Sequence, residues 1–196
     1  TETFSPVEAR ALRSLLPSIR ACDPAVGSGA FLVGLLQTIT WAATLLDWRL
    51  HGDDALTRRN YAYDLKKQVV ERCLYGVDIQ AQAVQICELR LWLSLVVDYE
   101  LPEGVPFAEA IRQVPALPNL AYKVRQGDSL LERLFGQVVQ LDALSRDRET
   151  QEIVETLQSE KAAYFRLADT PEKRHRELRI LELQTALAEK LVAATR

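Results

Sequence analysis

The decapeptide Asp23-Pro24-Ala25-Val26-Gly27-Ser28-Gly29-Ala30-Phe31-Leu32 constrains this chain more than any other feature. An acidic residue closes a short apolar-leaning run, Ser18–Cys22, that reads as a strand. Two glycines one residue apart then break the backbone, and Ala30 to about Arg49 is a strongly helix-forming, apolar run. Glycine reaches conformations that a Cβ forbids and lets backbone pass close to a ligand. A helix beginning directly behind such a loop turns its unpaired N–H groups towards whatever the loop surrounds. Strand, glycine loop and helix in this order is how parallel α/β sheets hold nucleotide-like cofactors at the carboxyl ends of their strands. Taken alone, Gly27-Ser28-Gly29 also suits an ordinary turn, so the rest of the chain has to decide.

The remainder supplies the alternation that such a sheet needs. Ser5-Pro6-Val7-Glu8 has the pattern of a helix start, with Ser5 as cap, Pro6 at the first helical position and Glu8 completing a capping box. Pro17 ends that helix near Leu16. After a loop at His51–Asp54, Leu56–Arg72 reads as a second, more polar helix. Cys73–Ile79 is a short strand, and Ala81–Val97 is a long apolar helix containing Leu89, Trp92, Leu93 and Val96. Pro102, Pro106, Pro115 and Pro118 make Asp98–Asn119 mostly loop. Leu120–Val124 is the third strand. Strands alternating with helices imply a parallel sheet with right-handed crossovers. Everything beyond is helical and charged: Leu141–Ala168 and Pro171–Ala194 carry apolar positions such as Ile153, Leu157, Tyr164, Ile180, Leu183, Leu187 and Leu191. Thr170-Pro171-Glu172 is a helix start between them, so the tail reads as an antiparallel helical hairpin.

With 196 residues and 48% hydrophobic content, the chain can bury one sizeable core. Its net charge of −3 argues against this piece holding DNA alone. Cys22, Cys73 and Cys87 lack metal-ligand spacing and read as buried reduced thiols of a cytoplasmic protein. His51 and His175 have no acidic or cysteine partner at ligand spacing, so they are expected at the surface and no metal is expected. The most apolar stretch, Ala30–Leu46, contains Gln37, Thr38, Thr40 and Thr44 and runs at once into Asp47 and Arg49, which suits a buried helix better than a membrane span. Trp41, Trp48 and Trp92 are expected in the core. Lys173, Arg174, His175, Arg176 and Arg179 are interleaved with Glu172, Glu177 and Glu182, the pattern of a solvated helix face. The chain holds no methionine and opens at Thr1, so it reads as an internal piece of a longer protein, with no secretory leader.

Two further acidic residues close the later strands. Asp78, in Gly76-Val77-Asp78-Ile79, is placed to accept hydrogen bonds from ribose hydroxyls. Asp128, in Gly127-Asp128-Ser129, could accept from an exocyclic amino group. Either carboxylate could instead cap the segment behind it, but three acidic strand ends in a row are harder to assign to chance.

These segments resemble motifs I, II and III of the adenine-N6 DNA methyltransferases, and the lead-in Pro118-Asn119-Leu120-Ala121-Tyr122-Lys123 resembles the large members, the type IIG restriction–modification enzymes and the BREX phage-defence methylases. The resemblance covers about Ser18 to Leu131. It implies a partial Rossmann-like methyltransferase fold, a parallel three-stranded sheet ordered 3-2-1, with residues 1–136 as the S-adenosyl-L-methionine-binding half and 137–196 as the helical hairpin inserted before the catalytic motif. It implies that Asp23, Pro24, Ala25, Gly27, Ser28 and Gly29 lie about the methionine part of the cofactor, that Asp78 holds the ribose, that Ile79 packs on the adenine and that Asp128 meets its amino group. Phe31 belongs to the same motif, its ring expected to pack under the loop rather than to touch cofactor.

Departures qualify this. Asp78 follows Gly29 by 49 positions, against about 20 in a minimal dinucleotide fold; the large methylases carry a helical insert there. The family's catalytic Asn-Pro-Pro-Tyr motif is absent, since the sequence has no Pro-Pro pair, and its upstream motif X is only echoed by Phe4-Ser5-Pro6. The expectation is therefore a fragment with cofactor-binding residues, no catalytic residue, and double-stranded DNA as partner only through the full-length protein. A cofactor-binding scaffold module of a multi-chain methylase, or a protein or RNA N-methyltransferase, are the alternatives. In the full fold the first strand lies between the second and a fourth that this chain lacks. Its open edge is expected to be covered by the hairpin, by non-native pairing, or by a second copy in a homodimer.

Overall fold

A computed structural model describes residues 4–114, 120–130, 133–134, 137–138, 147–167 and 171–194. The chain divides into two compact units, Thr1–Ser129 and Leu130–Arg196.

The first unit opens with α1 (Pro6–Leu15), started by the capping box that the sequence announced: Glu8 N–H donates to Ser5 Oγ and the Ser5 N–H donates to the Glu8 carboxylate at 2.8 Å. Pro17 does not lead directly into a strand. Leu16–Ser18 forms a single 3-10 turn, with Ser18 Oγ donating to Leu15 O, so β1 starts late, at Ala21, and runs to Asp23. Next come α2 (Ala30–His51), α3 (Tyr61–Cys73), β2 (Leu74–Asp78), α4 (Ala81–Val96), α5 (Phe107–Arg112) and β3 (Val124–Gln126). The more polar helix starts at Tyr61 rather than Leu56, because Asn60 has φ +60°, a left-handed conformation no helix interior accepts. Asn60 Oδ1 accepts from Glu100 N–H at 2.8 Å, which helps hold that conformation. The proline-marked segment is not all loop: Pro106 caps the short α5. Leu120–Tyr122 is a 3-10 turn, and the third strand follows it.

The three strands are parallel, with β2 central: Ala21, Cys22 and Asp23 of β1 face Leu74, Tyr75 and Gly76, and Gly76, Val77 and Asp78 face Val124, Arg125 and Gln126. The sheet order is the expected one, and β1 is an edge strand among the described residues. Leu74 and Gly76 form the buried positions of β2. Gly76 is required there, because a Cβ would come within 2.8 Å of Val26 and 3.2 Å of Leu32. Burial of Leu32, Leu36, Val70, Leu74, Leu91 and Leu95 makes the core between the sheet and α2, α3 and α4; each such side chain contributes about 1.5–3 kcal/mol.

Among the described residues, α2 is the one helix long and apolar enough to cross a membrane. One face of it, Leu32, Leu36, Ile39, Thr40, Ala43 and Leu46, is buried where it packs on α1, α3 and α4. Trp41 and Trp48, expected in the core, lie on its outer face at 66% and 51% exposure. Trp48 is turned outward by a hydrogen bond from its indole N–H to Asp53 at 2.9 Å. Asp47, near the end of α2, ties three helices together. It accepts Arg13 Nε at 2.7 Å and Arg13 Nη2 at 3.1 Å from α1, and the Tyr61 hydroxyl at 2.7 Å from α3. At the opposite ends of the strands from Asp78, Lys123 lies 4.2 Å from the Tyr75 ring centre, and burial brings its pKa down to about 8. His51 is exposed, Cys73 and Cys87 are buried as free thiols, and Cys22, against expectation, is exposed, because β1 is an edge strand whose other two residues are themselves only half-buried.

The second unit is not wholly helical. Arg133–Leu134 (β4) pairs antiparallel with Gln137–Val138 (β5). Two residues per strand are too few to show alternation in the sequence. Then come α6 (Arg148–Arg166) and α7 (Pro171–Ala194). The first helix starts later than Leu141, at a cap in which Asp147 accepts from Thr150 N–H; residues 141–146, Ala168 and the expected cap Thr170 lie outside the described residues. The pair is antiparallel: Lys190 meets Asp147 and Glu149 at one end, and Arg176 meets Glu160 nearer the other. Leu157, Tyr164, Phe165, Ile180 and Leu183 are buried in this unit. Of the basic cluster, Arg176 is bound by Glu160 and Glu172 and Arg179 by Glu182, while His175 is exposed.

Candidate cofactor site

The site lies where the three parallel strands end. The loop from Asp23 to Gly29 leaves β1, and Asp23 Oδ1 accepts Ala25 N–H at 3.1 Å, which turns the chain back over the strand end. Val26 N–H then donates to Val77 O at 2.9 Å, joining the loop to the end of β2. Gly27 and Gly29 both lie in the left-handed region, with φ of +51° and +81°. Gly29 is also packed: a Cβ there would be 2.5 Å from Cys87 Sγ of α4, so the loop rests directly on that helix. The first turn of α2 has no side-chain cap behind Gly29.

Asp78, at the end of β2, reaches the loop. Its Oδ2 accepts Gly27 N–H at 2.8 Å and its Oδ1 accepts Gln80 N–H at 2.9 Å. These two backbone donors, Gln80 before Gly27, hold the carboxyl below the usual carboxylate range. Two side chains that sequence reasoning missed complete the frame. Arg90 of α4 donates through Nη1 to Ser28 O at 3.1 Å and to Ser28 Oγ at 3.0 Å. Ser129 Oγ, beyond β3, donates to Pro24 O at 2.7 Å. Neither contact has a local sequence signal, since the partners are 62 and 105 residues apart. Gly127 N–H donates to Asp78 O at 2.9 Å, so the third strand end is bonded to the second.

The structure therefore brings Asp23, Pro24, Ala25, Gly27, Ser28, Gly29, Asp78 and Asp128 to adjoining strand ends, with Asp128 and Ile79 exposed beside them. Phe31 is a correction: its ring is 60% exposed instead of packed under the loop, and buried Val26 and Leu32 fill that space. Ile79 is 66% exposed, an unusual setting for an isoleucine directly behind a strand. Burial and the neighbouring Glu88 push the Cys87 thiol up to about 11, so it sits under the loop as a small protonated hydrophobe. Among the described residues no group of histidine, cysteine and carboxylate side chains could hold a metal ion.

Part of the chain is similar to two curated restriction-modification proteins. A protein of Methanocaldococcus jannaschii carrying the provisional name type II restriction enzyme and methyltransferase is 36% identical over 122 residues, 62% of this chain and 9% of its own length. A type II restriction enzyme and methyltransferase of Escherichia coli is 28% identical over 116 residues, 56% of this chain and 11% of its own. The chain thus spans about a tenth of the length of the curated relatives it matches. No solved structure gave a significant match. The family model described as Eco57I restriction-modification methylase matches residues 72–187, which include Asp78, Arg90 and Asp128 and make up more than half of the sequence, and so this chain belongs to the Eco57I restriction-modification methylase family.

Proposed function

We propose that Thr1–Ser129 is the S-adenosyl-L-methionine-binding half of the methyltransferase domain of a larger DNA adenine-N6 methyltransferase, in a restriction–modification or phage-defence system. One observation carries this reading: the glycine loop and the second acidic strand end meet, with Gly27 N–H on the Asp78 carboxylate at 2.8 Å. The cofactor's contribution is a methyl group made electrophilic by its sulfonium. The residues present suit that molecule. Nothing lies within 4 Å of where a Gly27 Cβ would be, so the loop has open space beside it. Each Asp78 oxygen takes one backbone N–H and keeps a second lone pair for a ribose hydroxyl. The exposed Ile79 offers an apolar face to a purine, and Asp128 an acceptor for its amino group.

On this reading Asp23 to Gly29 bind the methionine portion, and the chain contributes cofactor binding without the motif that would hold and polarise the target adenine's amino group, which receives the methyl. Residues 137–196, within the second unit, are then the insert ahead of the catalytic motif, with its helices α6 and α7. Double-stranded DNA is the partner of the full-length cytoplasmic protein, and the β1 edge is where a second copy of this chain would pair in a homodimer. Calorimetric titration of the purified protein with S-adenosyl-L-methionine tests the reading: saturable one-to-one binding supports it, and no binding by a folded sample ends it.

A further inference from the structure

We infer that Arg90 is a positioning residue that latches the glycine loop in its ligand-ready shape, an inference that rests on the cofactor reading above. Cys87 and Arg90 are three residues apart on α4 and so share one helical face. Both meet the loop. Cys87 Sγ occupies the place where a Gly29 side chain would be, and Arg90 Nη1 holds the adjacent Ser28 by its carbonyl at 3.1 Å and its hydroxyl at 3.0 Å.

The chemistry of that grip is specific. Ser28 O has no part in the α2 hydrogen-bond ladder, whose first carbonyl is Gly29 O, accepting Val33 N–H. A guanidinium donor therefore takes the last loop carbonyl before the helix. Because Ser28 Oγ accepts from Arg90, its own proton points away from the guanidinium and is left to donate. Arg90 thus fixes both a backbone conformation and the direction of a hydroxyl donor at the mouth of the site. Asp78 and Ser129 hold the same loop at Gly27 and Pro24, from β2 and from behind β3. Of these three hydrogen-bonded grips, that of Arg90 is the one made from α4 and the nearest to the helix start.

Cys87 reports on the latch without any cofactor. With the loop down it is buried, while Cys73 is buried at the far end of α3 with its thiol 3.6 Å from Leu16 O. N-ethylmaleimide labelling of the native protein, read residue by residue by peptide mass spectrometry, should be compared for wild type, Arg90→Ala and Arg90→Met. Both variants are expected to label at Cys87 about tenfold or more faster than wild type, with Cys73 labelling unchanged, and to bind S-adenosyl-L-methionine correspondingly more weakly. Unchanged Cys87 labelling, or Cys73 exposed in step with it, overturns the latch. So does Cys87 unmasking with cofactor affinity intact, which shows that the loop shape does not matter for the ligand. If wild type binds no cofactor yet Cys87 is unmasked selectively, the loop-latching role stands and the cofactor reading fails.

Discussion

Asp78 does two things at once, and substitutions there should separate them. Its carboxylate accepts one N–H from the glycine loop and one from Gln80, and on the proposed reading it also accepts the ribose hydroxyls. Asp78→Ala removes every acceptor; Asp78→Asn keeps one oxygen but sets an amide donor against a backbone donor. Both variants should lose cofactor affinity by about tenfold or more, and asparagine should rescue little; calorimetric affinity near the wild-type value in either would remove Asp78 from the site. The carboxyl is depressed in the folded protein, so its stabilising effect is complete above the ordinary aspartate value of 3.8 and is lost as pH falls through the lower folded value. Urea denaturation curves of wild type and Asp78→Ala should accordingly differ at neutral pH and converge in strong acid. Gly29 is the complementary case. Alanine there must adopt φ +81° and meet Cys87 Sγ at 2.5 Å, a combined cost of about 1–3 kcal/mol. Adding Cys87→Ala should restore the part due to the sulfur and leave the part due to the backbone and to the remaining Cys87 Cβ and Cα at 3.2 and 3.3 Å, as read from the shift in Tm.

At the scale of elements, what was legible in the sequence was what local chemistry decides. The capping box at Ser5 and Glu8 and the glycine break after β1 lie where expected, because each rests on neighbouring residues, whereas the strand order, also as expected, came from the resemblance to the methyltransferases. The start of α3 was not legible: it depends on Asn60 being held left-handed by Glu100, 40 residues away. Nor were Arg90 and Ser129, whose partners exist only once the sheet is assembled. The Arg13–Asp47–Tyr61 tie is another such tertiary feature, and it can be tested. Burial, then the hydrogen bond to Asp47, push the Tyr61 phenol up to about 12. A raised folded value means the tie stabilises fully below the ordinary tyrosine value of 10.0 and is lost as pH rises through about 12. Ultraviolet titration should show Tyr61 ionising late in wild type, alongside Tyr63, which burial also raises, and the Tyr61 step alone should move earlier in Asp47→Ala. The same variant should unfold about 1–3 kcal/mol more easily at neutral pH, because Arg13 and Tyr61 lose a shared partner; a normal phenol titration in wild type would contradict the geometry.

At the scale of the whole molecule, cofactor capture and methyl transfer should come apart. The sequence holds no Pro-Pro pair from which an Asn-Pro-Pro-Tyr motif could be built. Purified protein incubated with duplex DNA and labelled S-adenosyl-L-methionine should therefore bind the cofactor and leave adenine unmethylated; protein-dependent N6-methyladenine in the product would refute this. The three side-chain grips on the glycine loop, from residues 51, 62 and 105 positions later, also bear on how the protein reaches its native state. Closing loops of that length costs entropy that no local contact repays. The glycine loop, although near the start of the chain, must then take its final shape late, after β2, α4 and β3 have docked. A ligand that recognises only the finished loop can act only after the folding barrier has been crossed. It should slow unfolding and leave the refolding rate unchanged, so that cofactor added to a refolding mixture serves as a lock on the product and never as a template for it.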